Sequence, residues 1–483
     1  MKDRKLNTAG KLFFILYILA ALFMCAIVAI LNVLPGKYIC ALAAGIAVVT
    51  IILGILLLRR KNKKGVKIFG IVLSVILIAG YCIAGVYMHK AGTFVEEISD
   101  NGKDLVEYYV VGKADTEKAS LADINGDKVY ITSDIDEEYM EAQDQLVEDA
   151  AAAESEFKYK YCPDMDVLFT DVVDGTADEI FLAKTSYDMY EEQYSDMVEQ
   201  TKVICSVFIE KESNSEAKTV DVTKEPFNLY ITGLDTTGTI DVQSLSDVNM
   251  IVTVNPETKK ILLTSIPRDY YVLLHDEQSW DKLTHTGSKG ASATVSTVED
   301  LMGCDINYYF KCNFSTVVAL IDAIGGITVN SDYTFTTHGR QNEGYYFVQG
   351  ENTLNGAQAL AFARERKSFS DGDNQRIKDQ QIVLEATLKK VTSSKTLLTS
   401  YSDILSGISD YIETNMSDEE MKALVKMQLD DMAEWEIKKV SLTGEGSSQP
   451  CYLAGNAYAS VILQDQESID KAKAKMAKVF AGN

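Results

Sequence analysis

Three apolar segments at the N-terminus constrain this chain more than anything else in it. They run from about Leu12 to Leu34, Tyr38 to Leu58 and Val66 to Met88. Each is near the roughly 20 residues that cross a bilayer as a helix. A cleaved signal peptide has one shorter apolar core and a small-residue cleavage site, and this pattern is different. Flanking charge sets the direction of insertion. Lys2, Arg4 and Lys5 precede the first segment, Lys37 alone separates the first two, and Arg59, Arg60, Lys61, Lys63 and Lys64 precede the third. The positive-inside rule puts the N-terminus and the second loop in the cytoplasm. Three crossings then leave everything after about His89 outside.

Charge divides the chain at the same place. Residues 1–90 hold twelve Lys and Arg against one acid, Asp3, whereas the remainder holds 34 basic and 69 acidic residues. So acidic a soluble part excludes general nucleic-acid binding, which needs a basic surface to neutralise phosphates. It suits a solvated domain at an outer cell surface. Cys25, Cys40 and Cys82 lie in the apolar segments; Cys162, Cys205, Cys304, Cys312 and Cys451 are scattered without CxxC spacing. No zinc site is expected of them. One pair can form a disulfide, or all can be small buried thiols.

The soluble part reads as two domains. Residues 93–223 alternate strand-like runs (Leu105–Val111, Lys128–Thr132, Val167–Thr170, Glu179–Ala183, Val203–Ile209) with a helical stretch, Glu137–Glu156. We read an α/β accessory domain that recognises a ligand or partner, or spaces the next domain from the bilayer. Ser213–Lys224 is a polar linker. Residues 225–483 then alternate again. Leu229–Thr232, Met250–Val254 and Ile261–Ile266 predict strands by β-branched content. Tyr308–Lys311 and Ile327–Val329 predict two more. Thr294–Met302, Phe314–Ala323, Leu354–Ala361, Gln375–Val391, Asp418–Glu434 and Gln466–Phe480 predict helices. This pattern predicts a three-layer α/β/α sandwich around a mixed sheet. Ligands of open α/β sheets bind beyond strand C-terminal ends.

The polar groups at those ends are distinctive. The first strand of the large domain ends in Gly233-Leu234-Asp235, Ser246-Asp247 introduces the second, and the third ends in Pro267-Arg268-Asp269. Arginine is scarce elsewhere: the chain has eight, and only Arg268, Arg340, Arg364, Arg366 and Arg376 lie outside the membrane region. Arg offers a permanently charged planar fork that binds phosphate bidentately, which Lys does not. Arg364 and Arg366 point the same way if their segment is extended. These residues predict a polyanion clamp. Asp235 and Asp247 are candidates for a hard divalent cation, Mg²⁺ or Mn²⁺, held by carboxylates and phosphate oxygens together. His285, near Lys282, is read as a loop histidine hydrogen-bonded locally. There is no GxSxG, HExxH or P-loop. Phosphoryl transfer fits the set, because positioning and charge neutralisation carry most of its catalysis.

FNLYITGLD, the SD of SLSDVNMIVTVNP, LLTSIPRD, DKLTH, ALIDAIGGITV and LNGAQALAFARERKSFSDGDNQRIKDQQ occur in order over Phe227–Val391. Together they resemble the LytR-CpsA-Psr family, and the three spans with the intervening domain resemble its capsule-associated members. The resemblance implies an extracellular phosphotransferase. Its donor would be a polyprenyl-pyrophosphate-linked glycopolymer (capsular or teichoic-acid-like), and its acceptor peptidoglycan. It implies that Asp235 and Asp247 hold Mg²⁺. Arg268, Arg364, Arg366 and Arg376 would hold or neutralise the phosphates, with Asp269, Lys282, Asp373 and Gln380 in the head-group pocket. The catalytic set implied is Asp235, Arg268, Arg364 and Arg366. The lipid tail would lie between sheet and helices, near small residues such as Ala361. Capsule or wall synthesis proteins are the expected partners. One departure stands out: the family usually has Arg just before the Ser-Asp of the second strand, and here it is Leu245. One phosphate ligand is then missing, or supplied by a lysine such as Lys282 or Lys289. The alternative is a non-catalytic receptor for the lipid-linked polymer. A transcriptional regulator is disfavoured, because about ten residues before the first span are too few for a helix-turn-helix.

Overall fold

The computed structural model describes residues 2–31, 34–59, 61–99, 103–133, 136–212, 216–238, 240–338, 344–370, 372–393, 396, 404, 407–408 and 411–483. Only the backbone is described for residues 2–5, 31, 87–99, 103, 212 and 373. Arg340 lies outside the described residues. Three N-terminal helices, Lys2–Leu31, Gly36–Leu58 and Lys64–Ser99, contain stretches long and apolar enough to cross a membrane. They pack on one another through Tyr17, Ala21, Leu53 and Leu57. Ile30 and Ile83 are over two-thirds exposed, as suits residues that face lipid rather than water.

The accessory region forms a five-stranded sheet in the order Lys158–Cys162, Lys128–Thr132, Glu179–Ala183, Lys103–Lys113, Thr201–Glu212. The long strand Lys103–Lys113 pairs antiparallel on both sides, and its buried Val106, Tyr108 and Val110 alternate into the core. Helix Glu137–Ala152 starts where Asp136 accepts a hydrogen bond from the Tyr139 amide, and it ends before the expected Glu156.

Val167–Thr170, expected as a strand, is helical. Asp164 caps a helix Met165–Asp174, and left-handed Gly175 ends it. Leu168, Phe169 and Val172 recur at helical spacing and are buried. A second helix, Lys184–Gln193, was not expected; it is mostly polar and buries only Thr185, Met189 and Tyr190.

In the large domain six strands make one mixed sheet, in the order Ile412–Thr414, Tyr308–Cys312, Phe227–Leu234, Ser246–Asn255, Lys260–Ile266, Glu436–Ser441. Tyr308–Cys312 and Phe227–Leu234 run parallel, and the next two strands alternate in direction. The central strands are buried almost throughout, as strands covered on both faces must be. One face packs on helices Ala291–Met302 and Gln466–Phe480 through Val298, Met302, Ile469 and Met476. The other meets helix Asp418–Asp431 and Leu384 and Leu388 of helix Gly372–Val391. This is the expected three-layer α/β/α architecture. The tail, expected to hold two helices, also supplies the edge strand Glu436–Ser441 and a hairpin, Gly444–Cys451 with Ala457–Gln464. All eight cysteines are free thiols.

The two sheets are joined. Leu105 of the accessory strand exchanges backbone hydrogen bonds with Asp241 and Gln243, at 2.7 and 2.9 Å. Beside it, Lys311 is buried between Asp104 of the accessory strand (2.6 Å) and Glu413 of the edge strand (2.8 Å).

Candidate functional site

Strand direction brings the key residues to one edge. Phe227–Leu234 ends at Asp235, its antiparallel neighbour begins at Ser246-Asp247, and Lys260–Ile266 ends just before Arg268. Arg268 is the hub. Its Nη1 donates to Asp247 Oδ1 at 2.9 Å, its Nη2 forms an ion pair with Glu192 Oε1 at 3.1 Å, and its Nε lies 3.6 Å from Asp269 Oδ2. Burial alone would lower the Arg268 pKa; Asp247, Asp269 and Glu192 outweigh it and hold the guanidinium charged. Its buried Nε nevertheless has no hydrogen-bond partner.

Lys282 joins the same cluster, with Nζ 3.2 Å from Glu192 Oε2 and 3.5 Å from Asp269 Oδ1. Its loop is rigidly founded. The buried Asp281 carboxylate accepts from the backbone amides of Lys282 and Leu453 and from the His285 imidazole, at 2.6, 2.5 and 2.6 Å. Cys451 lies near Asp281 and His285. Burial, with Asp281 beside it, pushes the Cys451 thiol up to about 12, and the His285–Asp281 contact has hydrogen-bond length. The trio is therefore a polar core holding the loop, as expected of a locally bonded His285. Gly287 lets the following turn press against the second strand's entry, where a Cβ would lie 2.6 Å from the Ser246 amide.

Asp235 faces Asp247 on one side and Arg364 on the other. Arg364 Nη2 is 3.3 Å from Asp235 Oδ1, and its guanidinium stacks over Phe314 at 3.9 Å. Partial burial and the neighbouring Asp247 carboxylate push the Asp235 carboxyl above its ordinary value, against the pull of Arg364 and Arg268. Thr284 adds a 3.3 Å hydrogen bond to Asp247. Asp235 and Asp247 together form a carboxylate donor set suited to a hard divalent cation.

The remaining expected residues are placed as follows. Arg364 is the last residue of helix Gly356–Arg364, and Glu365 just beyond it is extended. The segment is therefore not extended through Arg364: that residue is half-buried, while Arg366 is exposed. Arg376 and Gln380 are half-buried, one turn apart on helix Gly372–Val391. Asp373 belongs to the same helix, but its side chain lies outside the described residues. Leu245 is buried at 6 % exposure. Of the two lysines considered in its stead, Lys282 joins the Arg268 cluster, whereas Lys289 pairs with Asp136 at 3.5 Å. Ala361 is buried; a cavity of about 490 Å³ has a mixed wall, with Lys378, Glu385, Lys389 and Lys439 beside Val329, Ile382 and Ala386, and Ala361 is not among its lining residues.

Sequence reasoning missed Glu192. It sits near the end of helix Lys184–Gln193 in the accessory region, and its side chain is 24 % exposed. Burial would raise its carboxyl, but Arg268, Lys282 and His285 hold it below the ordinary range.

The chain belongs to the LytR-CpsA-Psr family, whose description, LytR_cpsA_psr family, matches residues 189–478. It is 36 % identical over 230 residues to the Enterococcus faecalis protein named polyisoprenyl-teichoic acid–peptidoglycan teichoic acid transferase TagU, covering 47 % of this chain and 73 % of that one. A Bacillus mycoides protein of the same name is 35 % identical over 214 residues, covering 44 % and 67 %. The crystal structure of B. subtilis TagV is 28 % identical with a TM-score of 0.45, covering 53 % of this chain and 98 % of that chain.

Proposed function

We propose that this protein is a membrane-anchored phosphotransferase that moves a glycopolymer from a polyprenyl-pyrophosphate carrier to peptidoglycan. Family membership and the transferase names of the relatives support the reaction class. The observation that carries the reading is Arg268, a guanidinium at the sheet edge with an unpartnered Nε, set among the carboxylates of Asp247 and Asp269 and close to Lys282.

In this reading Arg268, Lys282 and Arg364 bind the pyrophosphate oxygens, with Arg366, Arg376, Gln380, Asp269 and Asp373 around the head group. Lys282 supplies the charge that Leu245 does not. Asp235 and Asp247 would hold Mg²⁺ or Mn²⁺, which neutralises charge on the leaving phosphate when bound. The acceptor hydroxyl attacks the phosphorus nearest the glycan. A bond forms between them, the bridging P–O bond breaks, and polyprenyl phosphate departs with the electron pair. The hydroxyl proton passes to a carboxylate at the site, Asp235 or Asp269. Capsular polysaccharide and teichoic-acid-like chains are both admitted as the polymer.

The proposed topology puts this chemistry outside the cytoplasm. Besides the positive-inside pattern, Lys37, at the start of the second helix, pairs with Asp430 of the large domain at 3.3 Å. That contact supports a shared side of the membrane for the two.

The test is a transfer assay with the full-length protein in detergent, a labelled lipid-pyrophosphate glycan and peptidoglycan fragments. Divalent-dependent release of polyprenyl phosphate with label on the acceptor is expected. Binding of the donor without transfer would favour the receptor reading.

A further inference from the structure

The cations of the candidate anion site are already engaged, and the group that engages them comes from the accessory region. Glu192 presents Oε1 to Arg268 and Oε2 to Lys282, at 3.1 and 3.2 Å. One carboxylate thus bridges the two cations through different oxygens. A phosphate presents a closely similar pair of oxygens to the same kind of fork.

We propose that Glu192 is an internal anion that occupies the Arg268–Lys282 site of this chain, and that a phosphate-bearing ligand binds there by displacing it. The proposal rests on the reading of this cluster as a phosphate site.

Charge supports it. Asp235, Asp247, Asp269 and Glu192 set four carboxylates against the three cations Arg268, Lys282 and Arg364. With Glu192 in place the cluster is net negative and repels an anion; with Glu192 swung away it is neutral. The displacement does not need the accessory region to detach. That region is held by the Leu105 backbone bonds and the buried Asp104–Lys311 pair. Rotation of the Glu192 side chain is enough. The residue lies one position from the helix end and is exposed as a whole, although its side chain is only 24 % exposed. Asp269 stays beside both cations after Glu192 leaves. The cations therefore keep a partner between ligands.

This role explains why an otherwise polar helix lies across the site. Asp188, one turn before Glu192, is paired at 2.5 Å with Lys184. Burial, and the nearness of Glu192 and Asp247 against the pull of Lys184, raise its carboxyl. Two consecutive turns of this helix therefore place carboxyl groups near Asp247, one paired with Lys184 and one with the site cations.

The test is isothermal titration of inorganic pyrophosphate, with Mg²⁺ present, into full-length wild type, Glu192→Gln and Glu192→Ala. Thermal midpoints check that each is folded. Loss of the internal competitor is expected to tighten pyrophosphate binding at least about tenfold in both variants, since charge-assisted contacts to two cations no longer have to be broken. Unchanged or weaker binding by folded variants, with wild type binding normally, overturns the proposal and makes Glu192 a residue that positions Arg268. If none of the three binds pyrophosphate, the phosphate-site reading fails and takes this proposal with it.

Discussion

Replacing Lys311 by Met removes the cation from a buried cluster that ties the accessory sheet to the large one. Lys311 is 3 % exposed, and its partners Asp104 and Glu413 are 4 % and 2 % exposed, at 2.6 and 2.8 Å. Met keeps most of the volume but strands two carboxylates. Burial already pushes the Glu413 carboxyl up despite Lys311, so without the lysine the pair must take up protons or pay desolvation in full. Breaking a buried pair from one side costs about 3–5 kcal/mol. At roughly 2–4 °C per kcal/mol for a domain of this size, the melting midpoint falls by about 10 °C. The assay is thermal unfolding of the full chain in detergent, followed by fluorescence of Trp280 and Trp435. The loss should be largest at pH 8 and smaller at pH 5, where stranded carboxyls are more easily protonated. Adding Glu413→Gln should recover part of it. A midpoint within about 2 °C of wild type at pH 8, or a loss independent of pH, refutes the claim that this cluster is a desolvated junction.

Two further outcomes follow from single contacts. In Gly287→Ala the new Cβ meets the Ser246 amide at 2.6 Å, so the turn carrying the Lys282 loop must shift; transfer should fall by an order of magnitude or more, and wild-type kinetics would contradict the placement. Burial pushes the Asp379 carboxyl up to about 7, and its Oδ2 has no hydrogen-bond partner. The unfolded group titrates near pH 4, so the stability it contributes is complete below that value and is lost as pH rises through 7. Asp379→Asn should therefore melt higher than wild type at pH 8 but not at pH 4, and a constant difference across that range would sink the assignment.

Much of the large domain could be read directly. Lys260–Ile266, Phe314–Ala323 and Gln466–Phe480 have boundaries that β-branched runs and the caps Asn313 and Asp465 mark locally. Arg268 was visible because arginine is rare in this chain. Three things were not legible, for different reasons. Val167–Thr170 reads as β-branched and aromatic, yet Asp164 and Gly175 cap it as a helix, so local capping overrode composition. The direction of Arg364 depends on where a helix ends, which short patterns fix only within a few residues. Glu192 carried no local signal at all. It is one acid among 70 in the chain, and only the packing of two sheets brings it to Arg268. A contact between residues 76 positions apart leaves no mark on either segment.

The most direct test of the central claim is a crystal structure of the full chain with a polyprenyl monophosphate and Mn²⁺, located by its anomalous signal. The phosphate is expected about 3 Å from Arg268 and Lys282, with Mn²⁺ between Asp235 and Asp247 and the Glu192 carboxylate moved away. A phosphate bound elsewhere, with Arg268 still spanning Asp247 and Glu192 and no metal at Asp235, would contradict that claim.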